Sequence, residues 1–175
     1  MKAWVALASL MAASAAPAEV VSASSNGFEV RQTVSLVVKP EVAFAAFSNV
    51  SGWWDAEHTY SGDSSNLSLD LRPGGCFCER FPEGGGGVEH MRVVYVEPGK
   101  RVVLTGALGP LLYEATTGVM DVQVKSTAAG SQLTLNYRAA GFANGGADKL
   151  APLVDGVLAG QMKRLRAFAT ARPRT

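Results

Sequence analysis

The spacing of apolar residues changes period twice along this chain. From Phe28 to Lys39, Val30, Val34, Leu36 and Val38 fall on alternate positions, which predicts a strand with one buried face. Pro40 then stands where a first helical residue loses nothing by lacking an N–H. After it, Val42, Ala45 and Ala46, with Phe44 and Phe47, lie three and four apart over two helical turns. Ser51-Gly52 marks a turn directly before Trp53-Trp54, and residues 55–66 are polar and read as irregular. Alternation returns at Leu67, Leu69 and Leu71 and is broken by the turn residues Arg72-Pro73-Gly74-Gly75. Residues 76–81 and 88–97 read as paired strands around a glycine-rich tip. Residues 101–105 are the next strand, and 116–126 with 132–139 form a final hairpin.

After a breaker at 141–146 the period becomes helical, starting near Asp148. Leu150, Leu153, Val154, Val157, Leu158, Gln161, Leu165 and Phe168 trace one stripe. Such a helix draws its stability from packing, so the stripe is expected against the sheet. The chain therefore predicts an α+β domain with helices on one face of an antiparallel sheet. Gly156 and Gly160 sit one turn apart inside this helix, each costing about 0.8–1.0 kcal/mol relative to Ala. Two returns are consistent with that cost: close packing of sheet on helix, or a cavity widened by two absent side chains.

The length of 175 residues fits one domain, but the first eighteen residues read differently from the rest. Lys2, the uncharged apolar run 3–13 and Ala16-Pro17-Ala18 make a signal peptide with cleavage expected after Ala18. The run is shorter than the roughly 20 residues a membrane span needs. Residues 19–27 read as a flexible lead and 28–170 as the domain. Of 16 Lys and Arg and 15 Asp and Glu, Lys2 leaves with the leader, so the mature chain is electrically balanced. That balance argues against a nucleic-acid partner, and the basic cluster at Lys163, Arg164 and Arg166, then Arg172 and Arg174, complements a helix C-terminus. The expected location is periplasmic or secreted, with no stable membrane span once the leader is removed.

Two histidines occur, His58 and His90, so any histidine chemistry rests on them. With Val94 and Val96 facing the core, parity places His90 and Arg92 on the same inner face. A short hairpin loop then sets Glu79 roughly opposite His90 and Phe77 opposite Arg92. A carboxylate, an imidazole and a guanidinium would line one patch of an apolar wall, where buried charge requires a partner. The patch is either a self-satisfying cluster or a polar anchor. As chemistry, a Glu79–His90 pair is an acid/base device, because the carboxylate steadies the charged imidazole. His58 follows the tryptophan pair in a loop and becomes relevant where that loop covers a cavity mouth. Trp53 and Trp54, as neighbours, face different ways: one core, the other at the site. Tyr113 and Tyr137 are candidates for a hydroxyl contact. Cys76-Phe77-Cys78 leaves open whether the two thiols bridge, since an extended strand holds them apart while an oxidising compartment favours the bond. Neither a metal nor a cofactor is expected, and no phosphate loop or nucleophile elbow is present.

Several of these segments resemble the SRPBCC (START-like, helix-grip) superfamily, nearest its polyketide cyclase/lipid-transport group and the heat-shock-ATPase-activator homologues. The opening Val38-Lys39-Pro40-Glu41-Val42-Ala43-Phe44-Ala45-Ala46-Phe47 with Trp53-Trp54 is similar to that group's first helix. Leu71-Arg72-Pro73-Gly74-Gly75-Cys76-Phe77 resembles its turn, and Val93-Val94-Tyr95-Val96-Glu97-Pro98-Gly99-Lys100-Arg101-Val102-Val103-Leu104-Thr105 its central hairpin. Leu133-Thr134-Leu135-Asn136-Tyr137 matches its penultimate element. The likeness implies a curved sheet of about seven strands wrapped around the terminal helix and enclosing an apolar cavity. It implies a small hydrophobic ligand such as a lipid, polyketide or aromatic compound. It carries over no catalytic set. Two functions follow as expectations: an exported binding protein, or a cofactor-free cyclase, dehydratase or isomerase using His90 and Glu79. Trp53, Trp54, His58, Phe77, Arg92, Tyr113, Tyr137, Gly156 and Gly160 are the expected ligand contacts.

Overall fold

The computed structural model of the chain describes residues 19–171. The expected signal peptide lies outside the described residues, as do Arg172 and Arg174. One antiparallel sheet holds eight strands: β1 (Glu19–Ser24), β2 (Gly27–Leu36), β3 (Leu67–Leu69), β4 (Cys76–Arg80), β5 (Gly87–Glu97), β6 (Arg101–Gly106), β7 (Ala115–Thr127) and β8 (Gly130–Phe142). Their spatial order is β1-β2-β8-β7-β6-β5-β4-β3. A short helix α1 (Pro40–Ser48) follows β2, and the long helix α2 (Ala151–Ala171) closes the chain. This is a helix-grip arrangement, a curved antiparallel sheet holding a C-terminal helix.

The period-two strands bury what their pattern predicts. On β2, Phe28, Val30, Gln32, Val34 and Leu36 are buried in strict alternation. β7 and β8 run in unbroken register over their whole length, and bury Met120, Val122, Val124, Leu133, Leu135 and Tyr137. Against that face α2 lays Leu158, Gln161, Met162, Leu165 and Ala169, with β2 its main neighbour. Burying such side chains contributes about 1.5–3 kcal/mol each. α1 starts at Pro40 and packs Ala43, Phe44, Ala46 and Phe47 into the same core. Gln32 and Gln161 are two of the buried polar groups within this layer. The Gln32 amide donates to the Asp155 carboxylate at 2.5 Å, and Gln161 accepts the Asp55 backbone N–H at 2.9 Å.

Two expectations are corrected. Residues 19–24 are not a flexible lead; they form the eighth strand, paired with β2. Every side chain on β1 is exposed, so the strand is held by backbone hydrogen bonds and leaves no alternation to read. Gly156 and Gly160 neither allow close packing nor widen a cavity. Both are exposed on the outer face of α2, and a Cβ at either position would meet nothing within 4 Å. Their helix-propensity cost has no return in packing. Gly156→Ala and Gly160→Ala are each expected to stabilise the fold by about 0.8–1.0 kcal/mol. Urea melts check this: the midpoint should rise at unchanged slope.

Candidate functional site

Glu79 and His90 meet on the inner face through a local irregularity of the sheet. Phe77 pairs with Met91 and Cys78 with Glu89, which leaves His90 as the extra residue of a β-bulge. A bulge turns two successive side chains to the same side, and His90 and Met91 are both buried. Glu79 lies opposite Val88 in the ladder, not opposite His90. The two side chains nonetheless meet, with His90 Nε2 3.1 Å from a Glu79 carboxylate oxygen. Glu79 is 2% exposed and His90 5%.

The same bulge inverts the expected parity beyond it. Arg92 is exposed on the outer face, where its guanidinium bonds Glu89 and donates to the Gly74 carbonyl at 2.8 Å. It takes no part in the inner patch. Val94 is likewise exposed, and Val93 fills the core position instead. Cys76 and Cys78 are joined by a disulfide whose Cα atoms stand 5.4 Å apart, inside the range that bridging tolerates.

Glu79 is also the anchor of the loop that follows Trp54. Its two oxygens accept the backbone N–H groups of Tyr60 at 3.1 Å and Ser61 at 2.5 Å, besides the imidazole. Burial on its own raises the Glu79 carboxyl, but the hydrogen bonds from Ser61, Tyr60 and His90 outweigh it and hold the acid below 4.5. Burial lowers His90 below 6.5, and the Glu79 carboxylate recovers only part of that shift. An ionised acceptor beside a neutral imidazole fixes the tautomer: Nε2 carries the hydrogen and donates to Glu79. Among the described residues Nδ1 has no protein partner, and no side-chain nitrogen or oxygen is both unpaired and shut off from solvent space. Nδ1 is therefore reachable from open space, and His90 is a wall residue of the cavity beside it.

That cavity measures about 370 Å³, towards the small end of ligand pockets at roughly 300–1,000 Å³. Its walls come from three places. α2 and the residue before it supply Leu150, Leu153, Val154, Val157 and Leu158; the segment after β6 supplies Leu108, Gly109, Pro110, Leu111 and Tyr113; the loop after Trp54 supplies Glu57, His58, Thr59 and Tyr60. His90 is the polar side chain that reaches it from the sheet. The loop holds its shape because Asp55 and Asp63 cap two short 3-10 turns, accepting the N–H groups of Glu57 and Ser65. It is tied to α2 by an Asp55–Arg164 ion pair at 2.6 Å. The Tyr60 hydroxyl reaches across the mouth and donates to the Gly109 carbonyl at 2.7 Å.

Aromatic rings link core to mouth in sequence. Trp53 touches Trp54 (5.5 Å between centroids), Trp54 touches Phe77 (5.3 Å), Phe77 touches His90 (4.9 Å), His90 stacks on Tyr60 (5.8 Å), and Tyr60 meets Tyr113 (6.2 Å). Trp53 is buried, its indole bonded to the Phe47 carbonyl, and serves the core. Trp54 lines the cavity, its indole N–H given to the His58 carbonyl at 3.0 Å. Phe77 backs His90 from behind. His58 and Tyr113 stand at the rim.

Tyr137 is not a wall residue but a strut. It is fully buried and lies across Gly118, where a Cβ would come within 2.6 Å of its ring. Its hydroxyl accepts the Leu108 N–H at 3.3 Å, which positions the segment forming one wall, and burial pushes it up to about 12. Gly156 and Gly160 lie on the far side of α2. Sequence reasoning missed Tyr60 and the 108–111 segment. No periodic signal marks them; in the structure the exposed apolar Leu153 and Tyr113 point to this rim, since large apolar side chains left at a surface often flank a binding site.

No family model and no curated protein matches the chain. Solved structures do. An uncharacterized protein from Rhizobium leguminosarum matches with a TM-score of 0.63 at 18% identity, over 83% of this chain and 96% of that one. A protein from Rhizobium loti matches with a TM-score of 0.56 at 26% identity, over 81% and 94%. One from Chromobacterium violaceum matches with a TM-score of 0.55 at 18% identity, over 82% and 99%. The chain shares their fold along most of its length.

Neutral, buried His90 gives stability a definite pH dependence. Its folded value lies below 6.5, so the unfolded chain takes up a proton first on acidification, and stability falls as pH drops through that value. Glu79, held below 4.5 by its hydrogen bonds, stays ionised from pH 7 to about pH 5. The melting temperature is expected to decline from pH 7 to about pH 5, and His90→Gln should flatten that slope. Calorimetry across the range checks it.

Proposed function

We propose that the chain is an exported carrier of the SRPBCC superfamily that holds one small hydrophobic molecule between α2, the 108–113 segment and the loop after Trp54. The observation that carries this reading is the cavity itself. Its wall is almost wholly apolar and His90 reaches it from the sheet, the pattern of orienting polar group within an apolar pocket that small-molecule sites share. The volume suits a one- or two-ring compound or a short single chain better than a two-chain lipid. The segment motifs and the helix-grip fold support the superfamily assignment, with lipid- or polyketide-type ligands as its members' usual cargo. The leader at residues 1–18 supports export to the periplasm or beyond.

Filling the cavity from α2 tests the carrier. Val157→Trp should weaken binding of the neutral dye N-phenylnaphthylamine by roughly tenfold or more, read from its fluorescence rise in apolar surroundings, while the melt stays cooperative. Unchanged affinity would place the dye elsewhere and sink the reading. Export is tested separately: full-length chain expressed in a Gram-negative host should be recovered from the periplasm with a mass beginning at Glu19. An intact Met1 in the cytoplasm would refute it.

A second reading has one specific support, the Nδ1 lone pair of a neutral imidazole held by a carboxylate. That is the arrangement of a general base, and it suits a cyclisation, dehydration or isomerisation of the bound molecule without a cofactor. His90 would take the proton and Glu79 would orient it. Turnover that follows an ionisation near His90, and is lost in His90→Gln, would favour the enzyme over the carrier.

A further inference from the structure

His58 and Tyr113 bring an imidazole N–H and a hydroxyl to the cavity rim, but around His90 the hydrogen-bonding capacity left on the wall has one sign. The Trp54 indole N–H is given to the His58 carbonyl at 3.0 Å. The Thr59 hydroxyl donates to the Ala56 carbonyl at 2.7 Å, and the Tyr60 hydroxyl to the Gly109 carbonyl at 2.7 Å. His90 spends its N–H on Glu79. What these groups retain are lone pairs: Nδ1 of His90 and the oxygens of Thr59 and Tyr60. Neither Lys nor Arg lines the cavity, and Glu57 stands at its wall. A ligand carboxylate set against Nδ1 of His90 would meet a lone pair and neither Lys nor Arg, with Glu57 on the same wall and His58 within reach only at the rim. A ligand that brought only acceptors would leave Nδ1 of His90 unpaired on burial, which carries a desolvation cost.

We infer that the cavity selects a compact hydrophobe bearing a hydroxyl, a phenol, enol or alcohol, whose O–H donates to Nδ1 of His90, and rejects the carboxylate of the same skeleton. This rests on the carrier reading and adds the polarity of its ligand. Glu79 acts as the positioning residue. By taking the Nε2 hydrogen while holding Tyr60 and Ser61, it keeps the acceptor, not the donor, turned into the cavity. Phe77 behind the ring and Tyr60 stacked on it hold the imidazole plane.

Naphthalene, naphthol and naphthoate share one skeleton and separate the outcomes by sign. In a cavity that is merely apolar, dehydrating the hydroxyl makes naphthol the weaker ligand. With Nδ1 as its partner, naphthol is expected to bind wild-type protein roughly tenfold tighter than naphthalene by isothermal titration at neutral pH. Naphthoate is expected to bind weaker than either. His90→Gln keeps an amide donor towards Glu79 and removes the acceptor at Nδ1, so the order of naphthol and naphthalene should reverse. A readout free of mutation accompanies this: the Nδ1 nitrogen resonance of His90 should move towards its protonated position on adding naphthol and stay put on adding naphthalene. Naphthalene binding with naphthol weaker, or an unmoved Nδ1 resonance under saturating naphthol, overturns the inference and leaves the carrier standing. Binding of none of the three overturns both.

Discussion

One buried carboxylate organises the functional end of this molecule. Glu79 sits where a charge is costly to bury, and it is tolerated because backbone N–H groups from Tyr60 and Ser61 and the His90 imidazole converge on its two oxygens. The interaction does three jobs at once. It fastens a polar loop to the sheet, fixes the tautomer of the histidine, and leaves the histidine's other nitrogen facing empty space. A neutral residue at position 79 could fill the volume but could not satisfy those donors together. The loop, the ring and the cavity stand or fall with that one side chain.

Around this tie the fold divides its labour along α2. The C-terminal part of the helix buries Met162, Leu165 and Ala169 against sheet and α1, where packing supplies stability. The N-terminal part is tied to β2 by the Gln32–Asp155 hydrogen bond, and its Leu153, Val154 and Val157 line the cavity. Tyr137, braced across Gly118, carries the segment that forms the opposite wall. The hollow is therefore framed by well-packed material on both flanks. A hollow of this kind forgoes packing energy, which a domain sustains only with a dense core beside it.

The strands, their antiparallel pairing and both helices were legible because each rests on one-sided burial, which leaves a period in the sequence. β1 was illegible because nothing in it is buried. The meeting of Glu79 and His90 was foreseen, yet through a regular register that the sheet does not have. The bulge at His90 breaks parity, so the same reasoning that brought His90 inward wrongly brought Arg92 with it. Bulges carry no periodic signal. Gly156 and Gly160 illustrate the opposite failure: a residue pattern that looks purposeful in a helix can simply face water. The tryptophan pair was resolvable only as a division of roles, and the structure assigns Trp53 to the core and Trp54 to the wall.

The hydrogen bond from Tyr60 to Gly109 joins two segments that no strand or helix connects. All three of Tyr60, Gly109 and Tyr113 line the cavity, so in the proposed carrier the residence time of a molecule seated on His90 would depend on how often that bond and the Tyr60–Tyr113 ring contact part, as well as on the grip of the walls.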